Sequence, residues 1–190
     1  MEIQTARADQ FDQVVTLMTV AFVNDPVCRY LYPDIGQYLK HFPEYVRIYG
    51  MPGLQQGGTH VAENIGAALW VPPNAHPNEE ALDDLLARSV AKEAKPELFE
   101  VYAEFDRAHP REAHWFLPLM GVDPFAQGQG VGAALMQYGL NICDQDGTLA
   151  YLESTKPENI PFYERFGFMH YHLIDVGRHP PVTTMVRAPR

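Results

Sequence analysis

The residues of this chain best spaced for chemistry are Gln127-Gly128-Gln129-Gly130-Val131-Gly132, followed by Ala133-Ala134-Leu135-Met136. An apolar, strand-like segment from Trp115 to Val122 precedes the run, and an amphipathic helical segment to about Cys143 follows it. Glycines at a strand-to-helix junction let backbone amides approach an anion. The first turn of the helix leaves those amides unpaired, and its dipole adds partial positive charge. The letters therefore predict a pyrophosphate cradle. No Lys-Ser or Lys-Thr follows the last glycine, which excludes a nucleotide-triphosphate loop. Glycines at 128, 130 and 132 are not in dinucleotide-fold order, and too little chain remains for two nucleotide-binding halves.

A second segment gives the cradle a context. After a short apolar stretch, Thr148 to Leu152, comes Glu153-Ser154-Thr155-Lys156-Pro157-Glu158-Asn159-Ile160-Pro161-Phe162-Tyr163-Glu164-Arg165-Phe166-Gly167-Phe168. The first run matches Gln/Arg-x-x-Gly-x-Gly/Ala, and the second has an Asn opening a short helix, a Tyr on it and a Gly-Phe pair after it. Together, in this order, they resemble the GNAT superfamily of N-acetyltransferases. Within it the chain looks most like the puromycin N-acetyltransferase type, through Trp115-Phe116-Leu117, Gly121-Val122-Asp123-Pro124, Gln127-Gly128 and Leu152-Glu153-Ser154, with Asn159 and Phe162-Tyr163-Glu164-Arg165. The similarity covers roughly Trp115 to Phe168, so it defines the donor side better than the acceptor.

The resemblance implies acetyl-CoA as donor cosubstrate, with no metal, and acetyl transfer to a primary amine by direct attack in a ternary complex. It assigns the donor to Gln127, Gly128, Gln129, Gly130, Val131, Gly132 and Ala133. Asn159 would bond the pantetheine arm, and Met120 and Val122 would pair with it where the fourth and fifth strands splay apart. A thiol of pKa about 8.5 is a tolerable leaving group, so a weak acid suffices to protonate it. Tyr163 matches the family's position for that acid; on residue type alone, beside Phe162 and Phe166, it reads as a core tyrosine. Glu153, at the end of the fifth strand, is the candidate base, and a cation ligand or loop cap is the alternative. Asp25, Glu104, Glu112 and His114 are unranked candidates for the same task. Period two places His170 and His172 on one strand face, permitting metal binding, but no third ligand is indicated. Asn159 also fits a plain helix cap. Tyr30, Trp70, Tyr102 and Trp115 are aromatics that could face a cationic acceptor.

These groups need a scaffold, and the pattern supplies an α/β one. Ile3 to Arg7 reads as a strand, and Asp9 as the cap of a helix with Phe11, Val14, Val15, Met18 and Phe22 on its apolar face. Asn24-Asp25-Pro26 breaks that helix. Tyr30 to Tyr49 reads as a second, its period interrupted by Pro43. Thr59 to Glu63 and Ala67 to Val71 form a hairpin through Asn64-Ile65-Gly66. Asn78 to Arg107 is helical, split at Pro96, with its acids on a solvated face. Trp115 to Val122, Thr148 to Leu152, Met169 to Val176 and Val182 to Val186 complete the strands. The expectation is a single domain over residues 1–190 with the GNAT fold: a mixed, mostly antiparallel sheet, helices on both faces, and a splay between the fourth and fifth strands. Pro118 lacks an amide donor and belongs at a bulge, an edge or a place where pairing is absent; the resemblance, with its splay at this strand, is consistent with a bulge there.

Composition sets the outer limits. With 190 residues, 46% hydrophobic, the chain can build a sizeable core. No stretch of 18 apolar residues occurs and the amino terminus lacks signal-peptide features, so a cytoplasmic protein without membrane contact is expected. Cys28 and Cys143 have no metal or redox spacing. A net charge of -10 argues against nucleic acid and favours a cationic small-molecule partner. A homodimer is left open. The alternative function is a noncatalytic acyl-CoA-binding regulator of the same fold.

Overall fold

The computed structural model describes all residues 1–190. Seven strands form one sheet in the order β1-β2-β3-β4-β5-β7-β6. They are β1 (Gln4–Thr5), β2 (Thr59–Ala62), β3 (Gly66–Val71), β4 (His114–Val122), β5 (Leu149–Ser154), β6 (Met169–Ile174) and β7 (Val182–Arg187). Every neighbouring pair is antiparallel except β4 and β5. The helices are α1 (Phe11–Ala21), α2 (Pro26–Leu31), α3 (Ile35–Gln55), α4 (Glu79–Ser89), α5 (Lys95–Ala108), α6 (Val131–Gln145) and α7 (Ile160–Arg165).

The pleat of β3 separates two cores. Ala67 and Leu69 join Phe11, Met18, Phe42 and Val46 of α1 and α3 on one face. Ala68 and Trp70 join Leu135, Met136 and Leu140 of α6 on the other. Alternate residues of one strand thus bury against opposite helical layers, as period two requires. Gly53 lets α3 lie directly on β3, since a Cβ there would come within 2.3 Å of the Trp70 carbonyl oxygen.

Several expectations are corrected. Asp9 lies inside a short 3-10 turn, Ala8–Gln10, and pairs with Arg7 rather than capping α1. Asp25 follows the end of α1 and also caps the unforeseen α2, accepting from the amides of Val27 and Cys28. Pro43 lies inside α3 without ending it. A helix-interior proline costs about 3 kcal/mol; burial of Tyr38, Phe42 and Val46 along one stripe outweighs that, and Asp34 caps the start. The β2–β3 hairpin and the split at α4 and α5 stand where the pattern puts them.

Pro118 marks the main irregularity of the sheet. Val71 pairs with Phe116 and Leu69 with Leu119, so β4 carries one extra residue at Leu117-Pro118. The parallel pairing of β4 with β5 runs from His114 to Leu117 and stops there, opposite Leu152. Beyond the bulge, Leu119 to Val122 pair only with β3, while Glu153 and Ser154 pair only with β7. This is the splay. A second bulge, at Tyr171, places His170 opposite Met185 and His172 opposite Thr184. Adjacent β7 residues face opposite ways, so the two histidines do not share a face.

Candidate active site

Between Ala126, whose amide donates to Asp123 O, and Ala134, whose amide donates to Gly130 O, no backbone amide has a protein acceptor. Seven consecutive N–H groups, Gln127 to Ala133, are therefore free at the start of α6. Gly128 and Gly130 make this possible with φ of 75° and 84°, a left-handed backbone that side-chain-bearing residues avoid. Val131 is buried and anchors the loop to the core, while Gln127 Nε2 donates to Val122 O at 3.3 Å. A turn of unpaired amides on a helix dipole is the chemistry a diphosphate needs.

The cradle lies beside the splay. Asp123 N–H donates to Ile65 O on the β3 side, so by strand alternation Met120 and Val122 turn their backbone groups to the opposite edge, where no strand pairs with them and Val122 O accepts only the Gln127 side chain. Phe162 of α7 approaches the first turn of α6 across this gap, within 3.8 Å of where a Cβ on Gly132 would lie. Asn159 begins α7 exposed and makes no side-chain capping bond, so its amide is free.

On the side of the sheet covered by α3 and α5 the splay opens into a cavity of about 820 Å³. Its floor is Phe116, Pro118 and Glu153, and its walls include Tyr45 and Tyr49 of α3 and Tyr102 of α5. Tyr151, one pleat below Glu153, donates to Glu153 Oε1 at 2.9 Å, and no protein group donates to Oε2. Burial raises the Glu153 carboxyl from 4.5 to about 7, against the opposing effect of the Tyr151 bond. A carboxylate so placed exchanges protons near neutral pH.

Tyr163 flanks the splay from α7, with Phe162 and Phe168 against its ring. Burial, and then the charge of Asp25, push its phenol up to about 12. Asp25 is itself occupied: Oδ1 caps α2 and Oδ2 accepts from Thr155 Oγ1 at 2.5 Å. It lines the cavity but has no free oxygen in this arrangement.

Of the other candidates, His114 and Glu112 lie at the far end of the cavity. His114 Nε2 bonds His109 Nε2 at 2.9 Å, and its Nδ1 contacts Glu112 O at 2.7 Å. Glu104 pairs with Arg107 and lines no part of the cavity. Of the four aromatics expected at the acceptor, only Tyr102 lines it. Trp70 and Trp115 are buried under α6, and Tyr30 is bonded to Glu97. Tyr45, Tyr49 and Tyr151 escaped the sequence reading, although the period-two spacing of Tyr151 and Glu153 was visible in it.

A mixed sheet parted beside a helix N-terminus of free amides is the architecture of the GNAT fold. Residues 96–170 match the acetyltransferase (GNAT) domain family. An uncharacterized N-acetyltransferase of Schizosaccharomyces pombe is 28% identical over 207 residues, spanning 100% of this chain and 84% of that protein. Among solved structures, a histone acetyltransferase HPA2-related acetyltransferase of Corynebacterium glutamicum superposes with a TM-score of 0.67 at 24% identity, over 99% of this chain and 96% of that one. The polyamine N-acetyltransferase of Drosophila melanogaster, which forms N-acetylagmatine, gives 0.66 at 15% identity over 98% and 99%. The fold is the GNAT fold, and no helix is long and apolar enough to cross a membrane.

Proposed function

We propose that the protein is an acetyl-CoA-dependent N-acetyltransferase acting on a primary amine of a small molecule, an amine metabolite or amine antibiotic. The observation that carries this reading is the convergence of two sites on one gap: the amide-lined cradle meets the splay from one side, and the cavity holding Glu153 meets it from the other. Free amides from Gln127 to Ala133 fit a pyrophosphate, and the open edge of Met120 and Val122 fits the amides of a pantetheine arm, with Asn159 beside them. Bound in this way, acetyl-CoA supplies an activated acyl group.

The remaining chemistry falls to the chain's own groups. Glu153 takes a proton from the ammonium, directly or through water, and the amine nitrogen then attacks the thioester carbonyl carbon. The C–N bond forms, the C–S bond breaks, and the departing sulfur gains a proton with Tyr163 as its hydrogen-bond donor. The acid surface of the chain and the amine-acetylating Drosophila neighbour support a cationic acceptor. Similarity to the puromycin type rests on its motif letters and supports the antibiotic arm of the proposal.

The test is thiol release from acetyl-CoA with a panel of amines, beside calorimetric binding of acetyl-CoA. Turnover with at least one amine is expected, as is a loss of about 10- to 100-fold in kcat for Tyr163→Phe. Binding without turnover for any amine would favour the noncatalytic regulator. An unchanged kcat in Tyr163→Phe removes that residue from the mechanism.

A further inference from the structure

The charges around the cavity are unevenly placed. Its walls beside Glu153 are aromatic: Tyr45, Tyr49, Tyr102 and Phe116. Glu153 Oε2 is the one carboxylate oxygen of the interior without a protein partner, since both oxygens of Asp25 are engaged. The other acids of the lining, Glu79, Asp83, Asp106 and Glu112, are exposed on the rim, where water screens them.

The far end offers a second cation no interior anion. Leu149 pairs with His114 and lies four residues before Glu153, so the floor runs roughly 13 Å from the carboxylate to the histidine pair, at about 3.3 Å per residue. Between them lie Tyr151 and Phe116. In the His109–His114 bond one ring nitrogen must donate and the other accept, so the pair cannot be doubly protonated. Burial, followed by the neighbouring His114, lowers His109 to about 4 and keeps it neutral. An ammonium at Glu153 is thus held by one carboxylate and by ring faces, and whatever extends behind it meets ring surfaces and the uncharged His109 imidazole, with no interior carboxylate.

We infer that the acceptor is an organic monoamine with an apolar, ring-sized body, and that linear diamines and polyamines are poor acceptors. The inference rests on the acetyl-transfer reading of the same cavity. It parts from the Drosophila neighbour, whose acceptor side is polyamine-directed by name. Nothing is oxidised or reduced: the ammonium loses one proton to Glu153, and the nitrogen's second proton, given up as the amide forms, replaces the one Tyr163 passes to the sulfur, which leaves as a thiol.

The test uses the full-length protein and an isosteric pair, hexylamine and 1,5-diaminopentane, which differ by a methyl in place of a second ammonium, with 2-phenylethylamine as the ring-bearing probe. From thiol release, kcat/KM for hexylamine is expected to exceed that for 1,5-diaminopentane at least tenfold, with 2-phenylethylamine at least equal to hexylamine. Tyr49→Leu should lower 2-phenylethylamine turnover more than hexylamine turnover. A diamine within tenfold of hexylamine, or better, overturns the inference while leaving acetyl transfer intact. So does acetyl-CoA binding with no turnover of either monoamine. Absence of acetyl-CoA binding by calorimetry removes the underlying reading as well.

Discussion

Glu153→Gln should cripple the proposed acetyl transfer and, above neutral pH, make the protein more stable. Glutamine keeps the size of the side chain and an oxygen for the Tyr151 hydroxyl, but cannot ionise. In the wild type the folded-state pKa is about 7, raised by burial from the ordinary 4.5. Below 4.5 both folded and unfolded chains hold the proton, and Glu153 contributes no pH dependence. Between 4.5 and 7 the folded chain holds a proton that the unfolded chain has released, so wild-type stability falls as pH rises. Above 7 the loss is complete. A rise of roughly 2.5 units at about 1.36 kcal/mol each amounts to about 3 kcal/mol.

The glutamine variant carries none of this penalty. The stability advantage of Glu153→Gln over wild type should therefore open by about 2.5 kcal/mol between pH 5 and pH 8. Urea melts at pH 5, 6, 7 and 8 measure it, and thiol release at pH 8 should show kcat/KM reduced by about 10²- to 10⁴-fold. A gap independent of pH, or one that closes as pH rises, would refute the desolvated-carboxylate argument. Full activity of the variant would refute its role as base.

Further expectations follow from the same geometry. Tyr151→Phe removes a bond to the ionised carboxylate worth about 1.5 to 3 kcal/mol, so the acid limb of the kcat/KM profile, near pH 7 in the wild type, should move up by about one to two units; a pH profile with a monoamine measures it, and no shift refutes the coupling. Gly130→Ala puts a side chain at φ 84° and costs about 1 to 2 kcal/mol of local strain, so acetyl-CoA should bind roughly tenfold more weakly by calorimetry. An unchanged Kd would separate the free amides from phosphate binding. Asp144→Asn breaks a two-pronged pair with the buried Arg187, at 2.7 and 2.9 Å, and should cost about 3 kcal/mol in urea melts while leaving kcat/KM unchanged in the folded enzyme.

The loop proposed for the donor was legible as a unit because its parts are contiguous. Gln127 to Ala133 form one turn, and their φ values and free amides follow from glycine spacing at a strand-to-helix junction. Pro118 marked an interruption of β4 for a local reason, the missing amide, and the register shift opposite Leu69 and Val71 shows which of the open alternatives it takes. The acceptor half is assembled from α3, α5, β4 and β5, so Tyr45, Tyr49, Tyr102 and Phe116 meet only after the chain folds. Each reads as core by composition, and nothing in its neighbours separates it from Trp70, which is core. Period two failed at His170 and His172 because the bulge at Tyr171 inverts the pleat between them. Local strand arithmetic cannot count an extra residue that partner strands impose.

Burial moves the two proposed proton-handling groups in the same direction, with opposite consequences for their tasks. It brings Glu153 to about 7, where it is ionised in half the molecules at neutral pH and basic enough to accept a proton. It pushes Tyr163 to about 12, some 3.5 units above a free thiol near 8.5. Full proton transfer from Tyr163 to a solvated thiolate would be uphill by about 5 kcal/mol. A thiolate leaving inside the same dry gap is destabilised by the same desolvation, and that narrows the mismatch. In the proposed mechanism Tyr163 would therefore act first as a hydrogen-bond donor to developing negative charge, giving up its proton only as far as the sulfur is shielded from water. In that mechanism the splay sets the shielding, so α7, whose Phe162 reaches the first turn of α6, would contribute by covering the sulfur as much as through the acidity of its tyrosine.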